Sequence, residues 1–86
     1  MISEEMRKKL VELVKAETSD AKSKRTMAAD AKAAGESYLA MLLDTAAQEE
    51  ESHARYLHDW LQEHGMTMTE ADEKAYQDME RMFRKW

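Results

Sequence analysis

The sequence has no cysteine, no proline and only 2 glycines among its 86 residues. Without cysteine, disulfide scaffolds, zinc fingers, thiol catalysis and cysteine-ligated iron centres are all excluded. A chain of this length buries only about 60% of its unfolded surface, so it usually needs a disulfide, a metal ion or a partner chain for stability. A bound metal or an oligomer is therefore expected.

Basic clusters and long apolar runs are lacking as well. The 18 Asp and Glu residues outnumber the 13 Lys and Arg residues, which gives a formal net charge of −5. Nucleic-acid binding requires clustered positive charge, so no nucleic-acid partner is predicted. The longest uncharged apolar stretch, residues 37–43, is far shorter than the roughly 20 residues of a membrane span. Since the acidic N-terminal segment is also unlike a secretory signal, a cytoplasmic chain with no membrane partner is predicted.

Good helix formers make up most of the chain. Alanine, glutamate, lysine, methionine, leucine and aspartate dominate, while β-branched residues are few and never alternate with polar ones. The predicted fold class is therefore all-α. The two glycines and two capping residues, Ser3 and Thr69, divide the chain. They predict helix 1 over about residues 3–34, helix 2 over about residues 36–64 and helix 3 over about residues 69–86.

These elements predict a single domain, residues 1–86, built as a long antiparallel helical hairpin with a short C-terminal helix. Helices of about 30 residues are roughly 45 Å long, and one hairpin of that length leaves much of its apolar stripe uncovered. Two copies packed about a two-fold axis would form an antiparallel four-helix bundle. We therefore expect a homodimer.

Three ionisable residues interrupt the apolar stripes of the first two helices. Glu17 follows Leu13 by four residues and so lies on the stripe of helix 1, while Glu50 and His53 occupy two successive positions in the stripe of helix 2. The stripe of helix 1 consists of Met6, Leu10, Leu13, Val14, Ala21, Ala28 and Ala31, and that of helix 2 of Leu39, Leu43, Ala46, Leu57, Trp60 and Leu61.

The positions of these three residues along the hairpin predict that they converge. Glu17 lies 18 residues before Gly35, while Glu50 and His53 lie 15 and 18 residues after it. In an antiparallel hairpin those positions come to similar heights. A buried unpaired carboxylate costs several kcal/mol, so these groups need a metal ion or each other as partners. One Glu and one Glu-x-x-His form half of a di-iron ligand set, and a second chain would supply the other half for iron or manganese.

Two segments and the turn between them carry a resemblance to a known family. Residues 17–21 read ETSDA, residues 49–54 read EEESHA, and Gly35 lies midway between Glu17 and His53. In these features, over about residues 10–61, the chain resembles the rubrerythrin branch of the ferritin-like superfamily. Residues 53–54 (HA), followed by residues 60–61 (WL), together with the two-helix and tail-helix plan, are similar to the encapsulated ferritins.

The resemblance implies a ferroxidase that oxidises Fe(II) at a di-iron centre shared between two chains. Glu17, Glu50 and His53 would be the catalytic iron ligands, and Asp20 matches a position where rubrerythrins can carry an extra carboxylate. Members of the encapsulated group assemble further into rings of dimers and work inside encapsulin shells. The resemblance therefore implies a ring of dimers and an encapsulin shell for this chain as well. Tyr56, one turn beyond His53, is either a hydrogen-bond donor near the centre or an ordinary packing residue.

Other interpretations remain open at this point. Glu17 on its own would equally be a boundary residue paired with a lysine, and His58 and His64 are predicted to be surface or helix-capping residues. A rubrerythrin-like peroxide reductase with a separate electron donor is one alternative function. A non-catalytic dimerisation module, in which buried Glu and His form a polar network that sets the register of the helices, is another.

Overall fold

The computed structural model describes residues 2–84, and over that range the chain is all-helical with no strand. Its elements are α1 (Glu4–Ala33), α2 (Ser37–Glu63) and α3 (Glu70–Arg84). The prediction of an all-α hairpin followed by a short helix is thus confirmed. The helix ends lie within one residue of the predicted bounds, except that residues 85 and 86, predicted to end helix 3, lie outside the described residues.

Side-chain caps fix the starts of α1 and α3. The Ser3 hydroxyl oxygen accepts a hydrogen bond from the backbone N–H of Met6 at 3.1 Å, and the Thr69 hydroxyl oxygen accepts one from Asp72 at 3.1 Å. Both caps satisfy backbone donors that have no partner inside the helix. Acidic residues in the first turns of both helices add a favourable interaction with the helix dipole.

Both glycines end their helices in the left-handed conformation, with φ of +81° at Gly35 and +69° at Gly65. After α1, the backbone N–H of Glu36 donates to the carbonyl of Ala31 at 2.9 Å, and that of Gly35 donates to Lys32 at 3.0 Å. The same pair of hydrogen bonds closes α2. This is the Schellman arrangement, in which a residue of positive φ lets the chain reverse while the last carbonyls stay hydrogen-bonded.

Gly35→Ala is expected to lower the free energy of unfolding by about 1 kcal/mol, because an alanine Cβ is strained at positive φ. Gly35→Asn is the matched control, since asparagine tolerates this conformation better and should lose less. Chemical denaturation at one protein concentration measures both changes. Equal losses in the two variants would contradict the conformational explanation.

The contact between α1 and α2 is a seam of small residues, most of them seven positions apart. Alanine side chains let the two helix axes approach closely, and Val14 and Leu61 close the seam at the end away from Gly35. The buried alanines are Ala21, Ala28 and Ala31 on α1, and Ala40, Ala47 and Ala54 on α2.

The third helix packs on one side of this hairpin. Tyr76 and Met79 of α3 are buried in the same cluster as Val14 and Leu61. A cation–π contact adds to the packing, since the Arg25 guanidinium carbon lies 4.8 Å from the centre of the Phe83 ring. In the described part of the chain, none of the three helices is long and apolar enough to cross a membrane.

The single apolar stripe predicted for each helix is wrong in detail. Met6, Leu13 and Leu39 were expected in the buried stripe, yet each remains about half exposed. The reason is that the two helices pack against each other along small alanine side chains. The larger apolar side chains lie next to this seam on the surface of each helix and do not enter it. The large apolar residues therefore form a separate surface.

This surface, called the open face below, lies across the seam from α3. Glu17 and Lys24 each precede a buried residue of α1, Thr18 or Arg25, so they are turned about 100° away from the α3 side. The open face consists of Met6, Leu13, Glu17, Asp20 and Lys24 on α1, and of Leu39, Leu42, Ala46, Glu50, His53 and Trp60 on α2.

Candidate metal centre

The structure brings two of the three predicted ligands together on the open face. His53 Nδ1 lies 3.6 Å from Glu17 Oε2, which is too far for a hydrogen bond. The side chain of Glu17 is 25% exposed, while that of His53 is 58% exposed. The equal spacing of both residues from Gly35 thus places them side by side, as the hairpin register requires.

One oxygen of the Glu17 carboxylate is buried without a hydrogen bond in the described part of the chain. Its Oε2 atom is buried and has no hydrogen-bond partner among the described residues. Leaving a buried carboxylate oxygen without a partner costs free energy, so the position favours a charged or polar group arriving from outside the chain. Donor atoms that share one ion at about 2.1 Å lie about 3 to 3.5 Å apart, close to the separation from His53 Nδ1.

Glu50 is directed to a different partner within the chain. Its carboxylate forms an ion pair with the ammonium group of Lys24, and its side chain is only 14% exposed. The hydrogen bond to Glu50 raises the pKa of Lys24 above its ordinary value, and the charges of Glu50, Asp20 and Glu17 add to this effect. Lys24 is therefore fully protonated at neutral pH and supplies a positive charge to the open face.

Lys24 was not among the residues predicted at the centre. Its spacing carries the signal, because Lys24 lies seven residues after Glu17 and four after Asp20, so all three share one strip of α1. A lysine on the same strip as two carboxylates predicts an internal counter-ion.

Asp20 and Tyr56 were predicted as a further ligand and as a hydrogen-bond donor near the centre. Asp20 is exposed and acts on Lys24 through its charge. Tyr56 is 62% exposed, and the Arg55 guanidinium carbon lies 5.0 Å from its ring centre. Their roles as an additional ligand and as a hydrogen-bond donor to a ligand stay predictions.

The candidate donors of one chain do not complete a metal site within the described residues. Within residues 2–84, no group of three or more His, Cys, Asp or Glu side chains is arranged to hold a metal ion. The donors present, carboxylate oxygen and imidazole nitrogen, suit iron or manganese. The unpartnered Oε2 atom described above fits such an ion, with the remaining ligands expected from a second chain.

A second polar cluster was missed by the sequence analysis. His58, predicted to lie at the surface, is buried, and this prediction is wrong. Its Nε2 atom lies 2.8 Å from Glu73 Oε1, and its ring stacks on Tyr76 with a centroid separation of 3.8 Å. The cause is α3, which covers the side of α2 that carries His58. His64, by contrast, caps the end of α2 as predicted.

The surroundings of this cluster raise the pKa values of two further side chains, Tyr76 and Glu51. Burial raises the pKa of Tyr76, whose hydroxyl donates to Glu80 at 2.7 Å. Burial and the neighbouring charge of Glu80 raise the pKa of Glu51, while Arg55 opposes the shift. The contacts of His58 with Glu73 and Tyr76 join α2 to α3, and we assign this cluster to the fold.

Comparison of the chain with protein-family models, with curated proteins and with solved structures found no match. Any functional conclusion therefore depends on the geometry of the open face and on the resemblance in its ligand pattern.

Proposed function

We propose that two copies of this chain pair through their open faces into a four-helix bundle that oxidises Fe(II). In this proposal Glu17, Glu50 and His53 of both chains bind two iron ions as substrate. The buried Oε2 atom of Glu17, without a hydrogen-bond partner in the described chain and 3.6 Å from His53 Nδ1, is the observation that carries it. A divalent cation at this point would remove the cost of that unpartnered oxygen.

The shape of the hairpin supports pairing through this face. α3 covers the opposite side, and large apolar side chains stay about half exposed around the candidate ligands. A second hairpin would bury them, and burial of apolar area is the main driving force for association. The apolar side chains concerned are Met6 and Leu13 on α1, and Leu39, Leu42 and Trp60 on α2.

The chemistry follows from the types of ligand. Carboxylates favour Fe(III) over Fe(II) because they place negative charge next to the ion, and dioxygen or peroxide accepts the electron that each Fe(II) loses. His53 adds a nitrogen donor, while Glu17 and Glu50 hold the charge in place. Manganese would bind the same donors. Assembly into rings of dimers and location in an encapsulin shell are supported only by the resemblance.

Anaerobic titration of metal-free protein with Fe(II), with molar mass followed by light scattering, tests the proposal. We expect saturation at about one iron per chain and a shift of the chains into dimers or larger even-numbered assemblies, because each site needs ligands from two chains. Fe(II) that binds to chains which stay monomeric, or that fails to bind at millimolar concentration, would rule out the shared centre.

A non-catalytic dimerisation module is the second candidate, favoured by the ion pair between Lys24 and Glu50. This pair neutralises one candidate ligand without any metal. In such a module the dimer is complete in EDTA, and EDTA leaves the melting temperature unchanged. In the ferroxidase, removal of iron with EDTA is expected to lower the melting temperature, since bound metal stabilises the folded state by mass action.

A further inference from the structure

Lys24 lies where a bound metal would have to compete with it. Its ammonium group pairs with Glu50, and the carboxylates of Glu17 and Asp20 act on the same ammonium through their charges. Glu50 therefore cannot bind a metal ion with its full charge while Lys24 holds it. A metal ion at Glu50 would therefore compete with Lys24 for the charge of this carboxylate.

We infer that Lys24 is an internal counter-ion that metal displaces: its ammonium holds Glu50 in the metal-free protein and moves to Asp20 when Glu50 binds the ion. This inference rests on the proposed metal centre and adds to it a residue that regulates affinity. Lys24 is a positioning residue, because it acts on the metal only through Glu50.

The balance of charge on the open face supports the exchange. Each chain brings three carboxylates, Glu17, Asp20 and Glu50, and one ammonium, Lys24. With His53 counted as neutral, two negative charges remain, which one divalent ion neutralises. The ammonium can thus stay on the open face after metal binds, provided that it leaves Glu50.

Asp20 is in position to pair with the Lys24 ammonium after it leaves Glu50. It precedes Lys24 by four residues on α1, so the two side chains are neighbours on the helix surface. An acidic residue on the N-terminal side of a lysine at this spacing is the more favourable orientation of such a pair. Because Asp20 is exposed, pairing with Lys24 requires little desolvation.

Lys24→Gln tests the inference, with Lys22→Gln as the matched control. Glutamine removes the charge without adding apolar surface to the open face, and Lys22 carries the same charge two residues earlier, on the groove between α1 and α3. Anaerobic calorimetric titration with Mn(II) and with Fe(II) measures the affinity. We expect Lys24→Gln to bind about three- to tenfold more tightly than wild type, Lys22→Gln to match wild type, and Lys24→Arg to keep the weaker binding.

The melting temperature provides a second readout that does not depend on activity. In EDTA, Lys24→Gln should melt below wild type because Glu50 loses its partner, while saturating Mn(II) should raise its melting temperature more than that of wild type. A Lys24→Gln variant that binds metal no more tightly than wild type overturns the inference and leaves the metal centre standing. If neither wild type nor Lys24→Gln binds Mn(II) or Fe(II), both proposals fall.

Asp20→Asn in both backgrounds separates the role of Asp20 from that of a metal ligand. If Asp20 receives the ammonium, Asp20→Asn should weaken metal binding more in wild type than in Lys24→Gln, because only wild type has an ammonium to be received. Equal weakening in both backgrounds would make Asp20 a ligand and overturn this part of the inference.

Discussion

Glu50→Ala and His53→Ala are each expected to slow Fe(II) oxidation by at least about a hundredfold while leaving the helical circular dichroism unchanged. Loss of residues that merely support a ligand already costs about 10- to 100-fold, so loss of a ligand itself should cost at least as much. The fold should survive because His53 is largely exposed and neither residue belongs to the alanine seam. Stopped-flow absorbance of Fe(III) formation, at equal protein concentration, measures the rate.

Two neighbours provide matched controls. Glu49 is an exposed carboxylate directly before Glu50, and His64 is an exposed histidine at the end of α2. Glu49→Ala and His64→Ala should oxidise Fe(II) at the wild-type rate, because neither residue is a proposed iron ligand. If Glu50→Ala or His53→Ala is as fast as these controls, the assignment of ligands is wrong, whatever the oligomeric state.

Ala21→Leu is expected to lower the free energy of unfolding by about 3 kcal/mol, because it forces a larger side chain into the closest part of the helical hairpin. Ala21 is fully buried in the cluster that includes Val14, Ala54 and Leu61. A leucine at this point must push α2 away from α1, and the separation would reach the contacts of α3 as well. For a domain of this size the change is a large share of total stability.

Ala29→Leu serves as the control for helix propensity. Ala29 is exposed on the same helix, so a leucine there should change the unfolding free energy by less than about 0.5 kcal/mol. Urea denaturation of both variants in EDTA and at one protein concentration separates the effect of packing from those of metal and association. A loss in Ala21→Leu no larger than in Ala29→Leu would mean that the seam is loosely packed.

Local sequence signals were sufficient for the helices themselves. Ser3, Thr69 and the two glycines act on hydrogen bonds within a few residues of themselves, so their effect can be inferred without knowing what packs nearby. The equal spacing of Glu17 and His53 from Gly35 also predicted their proximity. In an antiparallel hairpin with the same rise per residue in both helices, residues equally far from the turn lie side by side.

The partners of individual side chains could not be read in the same way. Periodicity ranks positions around one helix, but it does not say which of two adjacent strips faces the neighbouring helix. Leu13 and Val14 differ by a single step, and only packing on α2 determined that Val14 is buried and Leu13 half exposed. His58 became buried for a similar reason, because α3 folds back over it.

By itself, the sequence determined that this protein is helical, where its three helices begin and where the first two end, and that a Glu, a second Glu and a His occur at matched heights of a hairpin. Those properties depend on local hydrogen bonds and on a constant rise per residue. Only the tertiary structure decided that alanines form the seam, that α3 covers one side, and that Lys24 neutralises Glu50. These depend on side-chain volume and on charges far apart in the chain, which periodicity along one helix does not encode.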